Sequence, residues 1–140
     1  MTTLFFEWDD ALYSVGDDTI DKQHQGLLAL LNRLYALVND EDGVANTAAA
    51  ADVMHALTQY IIEHFSYEEN RMQESAYPIE KIERHRAEHD FLIAKVQGFE
   101  RRLDDADPTV LGDMLPYLYG DWLIQHICVS DMDYRPFIQP

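Results

Sequence analysis

Residues 82–103 read IERHRAEHDFLIAKVQGFERRL, and this stretch decides the fold class. Its apolar and histidine residues recur every three or four positions, which is the period of one face of an α-helix. The residues on this face are Ile82, His85, His89, Leu92, Val96, Phe99 and Leu103. A stripe of this length predicts a helix that packs against other helices.

Three further segments carry the same stripe. The first runs through Ile20, His24, Leu27, Leu31, Leu34 and Val38. The second runs through Met54, Leu57, Ile61, His64, Glu68 and Arg71 or Met72. The last runs through Leu111, Leu115, Leu118, Trp122, His126 and Val129. Turn-forming residues separate the segments at 16–18, 39–43, 75–78 and 104–108.

Four long helices joined by short loops predict an all-α, antiparallel up-down-up-down four-helix bundle. We expect residues 1–140 to form one domain, with residues 1–18 as an N-terminal arm packed on the bundle through its apolar side chains, Phe5, Phe6, Trp8, Leu12 and Tyr13.

Prolines and a glycine set the expected details of the helices. Pro78 and Pro108 are expected in first helical turns, with Asp107 as an N-cap. Pro116 predicts a kink or a later start in the last helix. Gly120 in the same helix is expected to cost about 1 kcal/mol relative to alanine unless a neighbouring group packs closely on it.

Composition excludes several classes of function. The formal net charge of -16 at pH 7 comes with only ten scattered Lys and Arg, so nucleic acid and anionic membranes are poor partners. The start of the chain lacks a basic leader, and no apolar run approaches the roughly 20 residues of a membrane span. We expect a cytoplasmic protein. Cys128 is the only cysteine, so a metal site must use nitrogen and oxygen ligands.

The polar residues on the stripes carry the chemistry. Five of the six histidines and one glutamate occupy positions that the pattern otherwise gives to apolar residues. Burial of unpaired imidazoles and carboxylates costs several kcal/mol each, so repeated placement requires partners, and a metal supplies them. A metal-free network of hydrogen-bonded histidines is the alternative.

Spacing supports coordination. His64 and Glu68, and likewise His85 and His89, are four residues apart and share a helical face. His126 and Asp131 are five apart, so we expect the helix to loosen into a wide turn over residues 128–130. His55 lies on roughly the opposite face of its helix from His64, and we expect it to be solvated.

Counting donors predicts two ions. Five imidazoles and two carboxylates are too many for one tetrahedral zinc. If both carboxylates and an oxide or hydroxide bridge two ions, an ion with three histidines has six donors, and an ion with two histidines has five and one open position. Imidazole with oxygen ligands suits iron, and two iron(II) ions can supply the two electrons that reduce dioxygen to peroxide.

The chain resembles the bacterial single-domain hemerythrins from Trp8 to Phe137. The matching pieces are Val15-Gly16, Ile20-Asp21-Lys22-Gln23-His24, His64-Phe65-Ser66-Tyr67-Glu68-Glu69, His85-Arg86-Ala87-Glu88-His89 and Trp122-Leu123-Ile124-Gln125-His126-Ile127, with Asp131 and Tyr134. By this resemblance, His85, His89 and His126 hold the saturated iron, His24 and His64 hold the open iron, and Glu68 and Asp131 bridge the two.

The resemblance implies reversible dioxygen binding at a non-haem di-iron centre, for oxygen transport or storage, and no enzymatic activity. Oxygen or iron sensing, iron storage, and di-iron chemistry on peroxide or nitric oxide are the alternatives. Oxygen-activating di-iron bundles use GluxxHis pairs, which this sequence lacks. We expect a monomer that binds dioxygen and could supply an oxygen-consuming acceptor protein.

Overall fold

In the computed structural model, which describes residues 7–38, 47–107 and 109–138, every regular element is helical. Helix α1 spans Asp10–Tyr13, α2 spans Asp18–Val38, α3 spans Thr47–Glu74 and α4 spans Ile79–Asp104. The last part of the chain is one long helix of changing pitch. It comprises α5 (Val110–Tyr117), a π-helical segment (Leu118–Ser130) and α6 (Asp131–Ile138).

These elements form the predicted four-helix bundle. Helix α2 packs on α3, α3 packs on α4, and α4 packs on α5, while α6 returns to α3. Residues 75–78 connect α3 to α4, which is short enough to make the two helices antiparallel neighbours. None of the described helices has the length and apolarity that crossing a membrane would need.

The predicted inward stripes hold for the first three bundle helices. All seven stripe positions of α4 are buried. The stripes of α2 and α3 are also buried wherever their side chains are described; that of Val38 lies outside this set. At the position left open between Arg71 and Met72, Met72 is fully buried and Arg71 is partly exposed.

The stripe predicted for the last helix is wrong at three positions. Val129 is 53% exposed, and Leu111 and Leu115 are only partly buried, whereas Val110 and Met114 are buried. The prediction assumed α-helical pitch throughout. At Val129 the reason is the i→i+5 winding from Leu118 onward, which widens each turn and lengthens the interval between inward positions. Leu111 and Leu115 lie in the α-helical α5, where Val110 and Met114 face inward, so the predicted stripe is displaced there by one residue.

Proline positions also differ in part. Pro78 lies just before α4 in the N-cap position, one residue earlier than predicted. Pro108 lies outside the described residues. Thr109, rather than Asp107, is in the N-cap position of α5, and the Asp107 carboxylate accepts the Thr109 N–H at 2.9 Å. The first and last residues of a helix can be predicted from sequence only to within one or two positions.

Pro116 lies inside α5, and the π-helical winding begins two residues after it. Proline has no N–H to donate, so the α-helical hydrogen-bond ladder is already interrupted there. The expected irregularity is therefore present, as a change of pitch. A Cβ built on Gly120 would meet nothing within 4 Å, so close packing does not offset the expected cost of this glycine relative to alanine.

The start of α2 is fixed by side chains. The Asp17 carboxylate accepts the Ile20 N–H at 3.0 Å and caps the helix. Gly16, with φ of 83°, occupies the left-handed region that glycine enters without strain. The Asp21 carboxylate accepts the Val15 N–H at 2.9 Å. These contacts set the rotation of α2 and hence the direction of its buried histidine.

The described part of the N-terminal arm lies on the bundle as predicted. Helix α1 contacts the π-helical segment. Trp8 and Tyr13 pack on the apolar core, with their ring centroids 5.5 Å apart. Phe5 and Phe6 lie outside the described residues, as does the side chain of Leu12.

The apolar core has two parts separated by a polar layer. The larger part includes Leu27, Phe65 and Leu92. The smaller part includes Ile20 and Met72. Along each bundle helix, the buried histidines and carboxylates fall between the bulk of these two parts, whereas the buried Thr58 lies within the larger part. A layer enclosed by apolar packing on both sides excludes water and places the candidate site at a fixed level in the bundle.

Candidate metal centre

All seven predicted ligands lie together in this polar layer. The donor atoms form two overlapping sets, and within each set they all lie within 4.8 Å of one another. One set is Glu68, His85, His89, His126 and Asp131; the other is His24, His64, Glu68 and Asp131. Every one of these residues is at most 4% exposed. We call His85, His89 and His126 the three-histidine group, and His24 and His64 the two-histidine group.

Glu68 presents a different oxygen to each group. Its Oε1 lies 3.1 Å from His85 Nε2 and 2.9 Å from His89 Nε2. Its Oε2 lies 3.4 Å from His64 Nε2 and 3.7 Å from His24 Nε2. A carboxylate that divides its oxygens in this way can bridge two cations.

Asp131 divides its oxygens in the same sense. Its Oδ1 lies 2.9 Å from His85 Nε2 and 3.2 Å from His126 Nε2, and its Oδ2 lies 3.1 Å from His24 Nε2. The predicted wide turn brings it there, because the Asp131 N–H donates to the His126 carbonyl, five residues earlier. The turn is confirmed, as the end of a π-helical segment that is longer than predicted.

The buried donors are short of partners. Among the described residues, His89 Nε2, His126 Nε2 and Asp131 Oδ2 are shielded from solvent and make no hydrogen bond. Unsatisfied buried polar atoms are rare because each costs about 1–3 kcal/mol. Three of them in one layer of imidazole and carboxylate donors fit a site for metal cations that prefer nitrogen and oxygen ligands.

Outer hydrogen bonds fix the imidazole orientations. His64 Nδ1 lies 2.6 Å from the Gln23 amide oxygen. His89 Nδ1 lies 3.0 Å from a carboxylate oxygen of Glu69, and His126 Nδ1 lies 3.0 Å from one of Glu88. An imidazole that donates its Nδ1–H outward keeps the Nε2 lone pair directed inward, as a metal ligand requires.

Sequence reasoning assigned no role to these three acceptors. Each flanks a predicted ligand in the sequence: Gln23 precedes His24, Glu69 follows Glu68, and Glu88 precedes His89. From this adjacency, the sequence could have predicted that these polar residues lie near the site. It does not reveal the partner, because each acceptor serves a histidine on a neighbouring helix.

Aromatic side chains close the site. Phe65 stacks on His89 with ring centroids 3.7 Å apart and an angle of 4° between the planes. The Tyr134 hydroxyl donates to Glu68 Oε2 at 2.8 Å and is fully buried. Trp122, also buried, lies against His126. These contacts limit the movement of the ligands and keep water out.

The carboxylates hold protons on two histidines when no metal is bound. Burial by itself would lower the pKa of His24, but the neighbouring carboxylates of Asp131 and Glu68 outweigh burial and raise the pKa to about 9. Burial likewise opposes the charge on His85, and the same two carboxylates raise its pKa to about 10. Metal binding must therefore displace protons from this site.

The pKa values of His64, Glu68 and Asp131 are lowered. Burial lowers the pKa of His64 despite its contact with Glu68. Burial would raise the pKa of Glu68, but the neighbouring imidazoles of His24, His64 and His85 hold it well below its usual range. The pKa of Asp131 is also lowered, because the nearby histidines outweigh burial and the charge of Glu68. Both carboxylates are therefore available as anionic ligands.

Two other residues considered from the sequence lie elsewhere. The His55 side chain is 73% exposed, with Nδ1 3.8 Å from a carboxylate oxygen of Glu100, as expected for a solvated histidine. Cys128 is a free and partly buried thiol. Burial raises the pKa of this thiol, which keeps it in the neutral form.

Fold and site together define a helical-bundle protein with a buried His/Glu/Asp cluster able to bind metal. The family model described as the hemerythrin HHE cation binding domain matches residues 15–138. The chain therefore belongs to the hemerythrin family.

Curated relatives agree with this assignment. The chain is 31% identical over 130 residues to a bacteriohemerythrin of Clostridium acetobutylicum, which covers 92% of this chain and 98% of that protein. It is 27% identical over 129 residues to a bacteriohemerythrin of Methylococcus capsulatus, covering 92% and 93% respectively.

Solved structures support the fold. A crystal structure of wild-type hemerythrin superposes with a TM-score of 0.83 at 24% identity, covering 97% of this chain and 99% of that one. A leucine-to-alanine mutant of hemerythrin gives a TM-score of 0.84 at 23% identity, covering 99% of this chain and 100% of that one. At these identities, the likeness shows that the chain shares the four-helix bundle.

Proposed function

We propose that this chain binds dioxygen reversibly at a pair of non-haem iron ions, for oxygen transport or storage. The observation that carries the proposal is the division of carboxylate oxygens: Glu68 and Asp131 each face the two-histidine group with one oxygen and the three-histidine group with the other. When bound, the iron pair, with a bridging oxide or hydroxide, would supply the two electrons that reversible dioxygen binding needs.

The residues would supply different numbers of ligands to the two iron positions. The three-histidine group, two carboxylate oxygens and a bridging oxygen would fill six coordination positions. The two-histidine group would fill five and leave one for dioxygen. This ligand count is the one expected from sequence, and the two overlapping sets of donors support it.

Apolar packing around the two-histidine group would protect bound dioxygen from water. Leu27 and Ile61 are buried in the larger part of the core, about one turn along their helices from His24 and His64. Leu92 and Ile127 are buried in the same part and lie next along their helices to His89 and His126. Exclusion of water slows side reactions of a bound reactive species. Leu28 is buried in the same part of the core, and the side chain of Leu123 lies outside the described set.

We propose binding rather than catalysis because of the donor set. Oxygen-activating di-iron bundles are rich in carboxylates, whereas here five neutral imidazoles accompany two carboxylates. Neutral donors favour iron(II) and disfavour high-valent iron. An oxygen-consuming protein is the partner that a carrier or store would supply.

Iron and oxygen stoichiometry tests the proposal. Protein loaded with iron(II) under anaerobic conditions should hold two iron ions per chain and take up one dioxygen per chain, released under vacuum. Fewer than one iron per chain would support a metal-free histidine network and overturn the proposal. Oxygen consumed continuously, with turnover of peroxide or nitric oxide, would instead indicate an enzyme.

A further inference from the structure

The outer hydrogen bonds differ in charge between the two iron positions. We infer that Glu88 and Glu69 make the ion at the three-histidine group the first of the two to lose an electron. The inference rests on the proposed iron pair and deepens it, since it assigns the order of oxidation to residues that are not ligands. Glu69, Glu88 and Gln23 are positioning residues in this account.

Anionic acceptors surround the three-histidine group. Glu88 accepts from His126 Nδ1 at 3.0 Å, and Glu69 accepts from His89 Nδ1 at 3.0 Å. A carboxylate behind a ligating imidazole raises its basicity, and a negative charge nearby favours the more highly charged iron(III). Both contacts therefore stabilise the oxidised form of this ion.

The two-histidine group lacks such support. Its His64 donates to Gln23, a neutral amide, at 2.6 Å. His24 Nδ1 is buried and makes no hydrogen bond to the described residues. Tyr134 also donates to Glu68 Oε2, the oxygen that faces this group, and so withdraws electron density from it. All three features disfavour iron(III) at this position.

The two carboxylates are not equivalent, and this provides an internal control. Arg86 Nε donates to Glu69 Oε1 at 3.1 Å, so a cation compensates the charge of Glu69. Glu88 instead accepts a hydroxyl hydrogen bond from Ser130 at 2.8 Å and keeps its full negative charge. The charge of Glu88 should therefore have the larger effect.

The test is an anaerobic redox titration of the iron-loaded protein with a chemical oxidant, followed by EPR of the half-oxidised form. Each iron gives up one electron to the oxidant in turn, so two midpoints are measured. Glu88→Gln keeps the shape and the acceptor oxygen but removes the charge. It should raise the first midpoint by about 59 mV, the equivalent of a tenfold change for one electron. Glu69→Gln should raise it less.

Gln23→Glu is the reciprocal variant. It places a carboxylate behind His64 and should lower the second midpoint, because that electron leaves the two-histidine position. In the Glu88→Gln/Gln23→Glu double variant, the two midpoints should converge and the EPR signal of the half-oxidised form should change. Iron content and thermal midpoint are measured for each variant as controls for folding.

The inference is supported if Glu88→Gln raises the first midpoint and Gln23→Glu lowers the second. If Glu88→Gln, loaded with two iron ions, leaves the first midpoint unchanged, the inference is overturned. It is also overturned if Gln23→Glu and Glu88→Gln shift the midpoints in the same direction. These titrations need no dioxygen, so wild-type protein that loads iron but fails to release dioxygen contradicts the proposed function alone. Wild-type protein that loads no iron pair contradicts both.

Discussion

His126 and Asp131 are five residues apart, and their side chains meet in the candidate metal centre, with Nε2 and Oδ1 separated by 3.2 Å. The Asp131 N–H donates to the His126 carbonyl across the same interval. An α-helix would turn two side chains five residues apart well away from each other. The wider π-helical turn is what places both on the inner face.

Shortening this turn should therefore destroy the site. Deletion of Val129, which is 53% exposed, would rotate α6 by about 100° relative to the preceding helix and move Asp131 off the inner face. We expect the deletion variant to retain less than half of the wild-type iron after anaerobic loading, measured by metal analysis.

Val129→Ala is the matched control, because it removes the side chain and keeps the spacing. It should load iron like the wild type. Full iron content in the deletion variant would show that the i→i+5 spacing is not required.

Removing one ligand should remove one ion. His64→Ala takes one of two imidazoles from the two-histidine group and is expected to lower the iron content from two to about one per chain. His55→Ala, a change on the exposed face of the same helix, should leave it at two. Equal iron loss in both variants would indicate a general effect on folding.

The metal-free protein should lose stability at alkaline pH. The pKa of His24 is raised to about 9 and that of His85 to about 10, from an ordinary value of 6.5. Groups raised in this way contribute stability that is complete below pH 6.5 and is lost as the pH passes through 9 to 10. Urea unfolding of the metal-free protein at a series of pH values measures this loss.

Iron loading should remove the alkaline transition, because metal-bound imidazoles carry no proton at Nε2 to lose. Loading at pH 7.5 in weak buffer should also release protons, detectable with a pH indicator. A metal-free protein whose stability does not change from pH 7 to 10 would contradict the assigned protonation of the two histidines.

Two glycines should respond oppositely to alanine. At Gly120 a Cβ meets nothing within 4 Å, so Gly120→Ala should stabilise the protein by about 0.5–1 kcal/mol through the loss of unfolded-state freedom. At Gly26 a Cβ would overlap the hydroxyl and ring of Tyr60 on the facing helix. Gly26→Ala should destabilise by up to about 2 kcal/mol, because the overpacking cost of about 1–3 kcal/mol outweighs the gain of about 0.5–1 kcal/mol from replacing a helical glycine. Thermal unfolding distinguishes the two, and stabilisation at both positions would contradict the packing described at Gly26.

Much of the architecture was predictable because buried residues repeat with the period of the helix. The α4 stripe from Ile82 to Leu103 is buried at every predicted position. The seven candidate ligands could be found because polar residues on such a stripe are costly and therefore conspicuous. His55 could be set aside by the same periodicity.

The parts that were not predictable depend on departures from ideal pitch or on contacts between helices. The stripe of the last helix was wrong at Val129 because π-helical winding changes the interval between inward positions. The roles of Gln23, Glu69 and Glu88 were not assigned because each contacts a histidine on another helix. Periodicity within one helix carries no information on such pairings.

The central claim is reversible dioxygen binding, and the visible spectrum tests it most directly. Protein loaded with two iron(II) ions and exposed to air should develop a charge-transfer band that disappears on deoxygenation and returns over repeated cycles. A single irreversible change to the oxidised spectrum, with no recovery of the reduced form on deoxygenation, would contradict the claim.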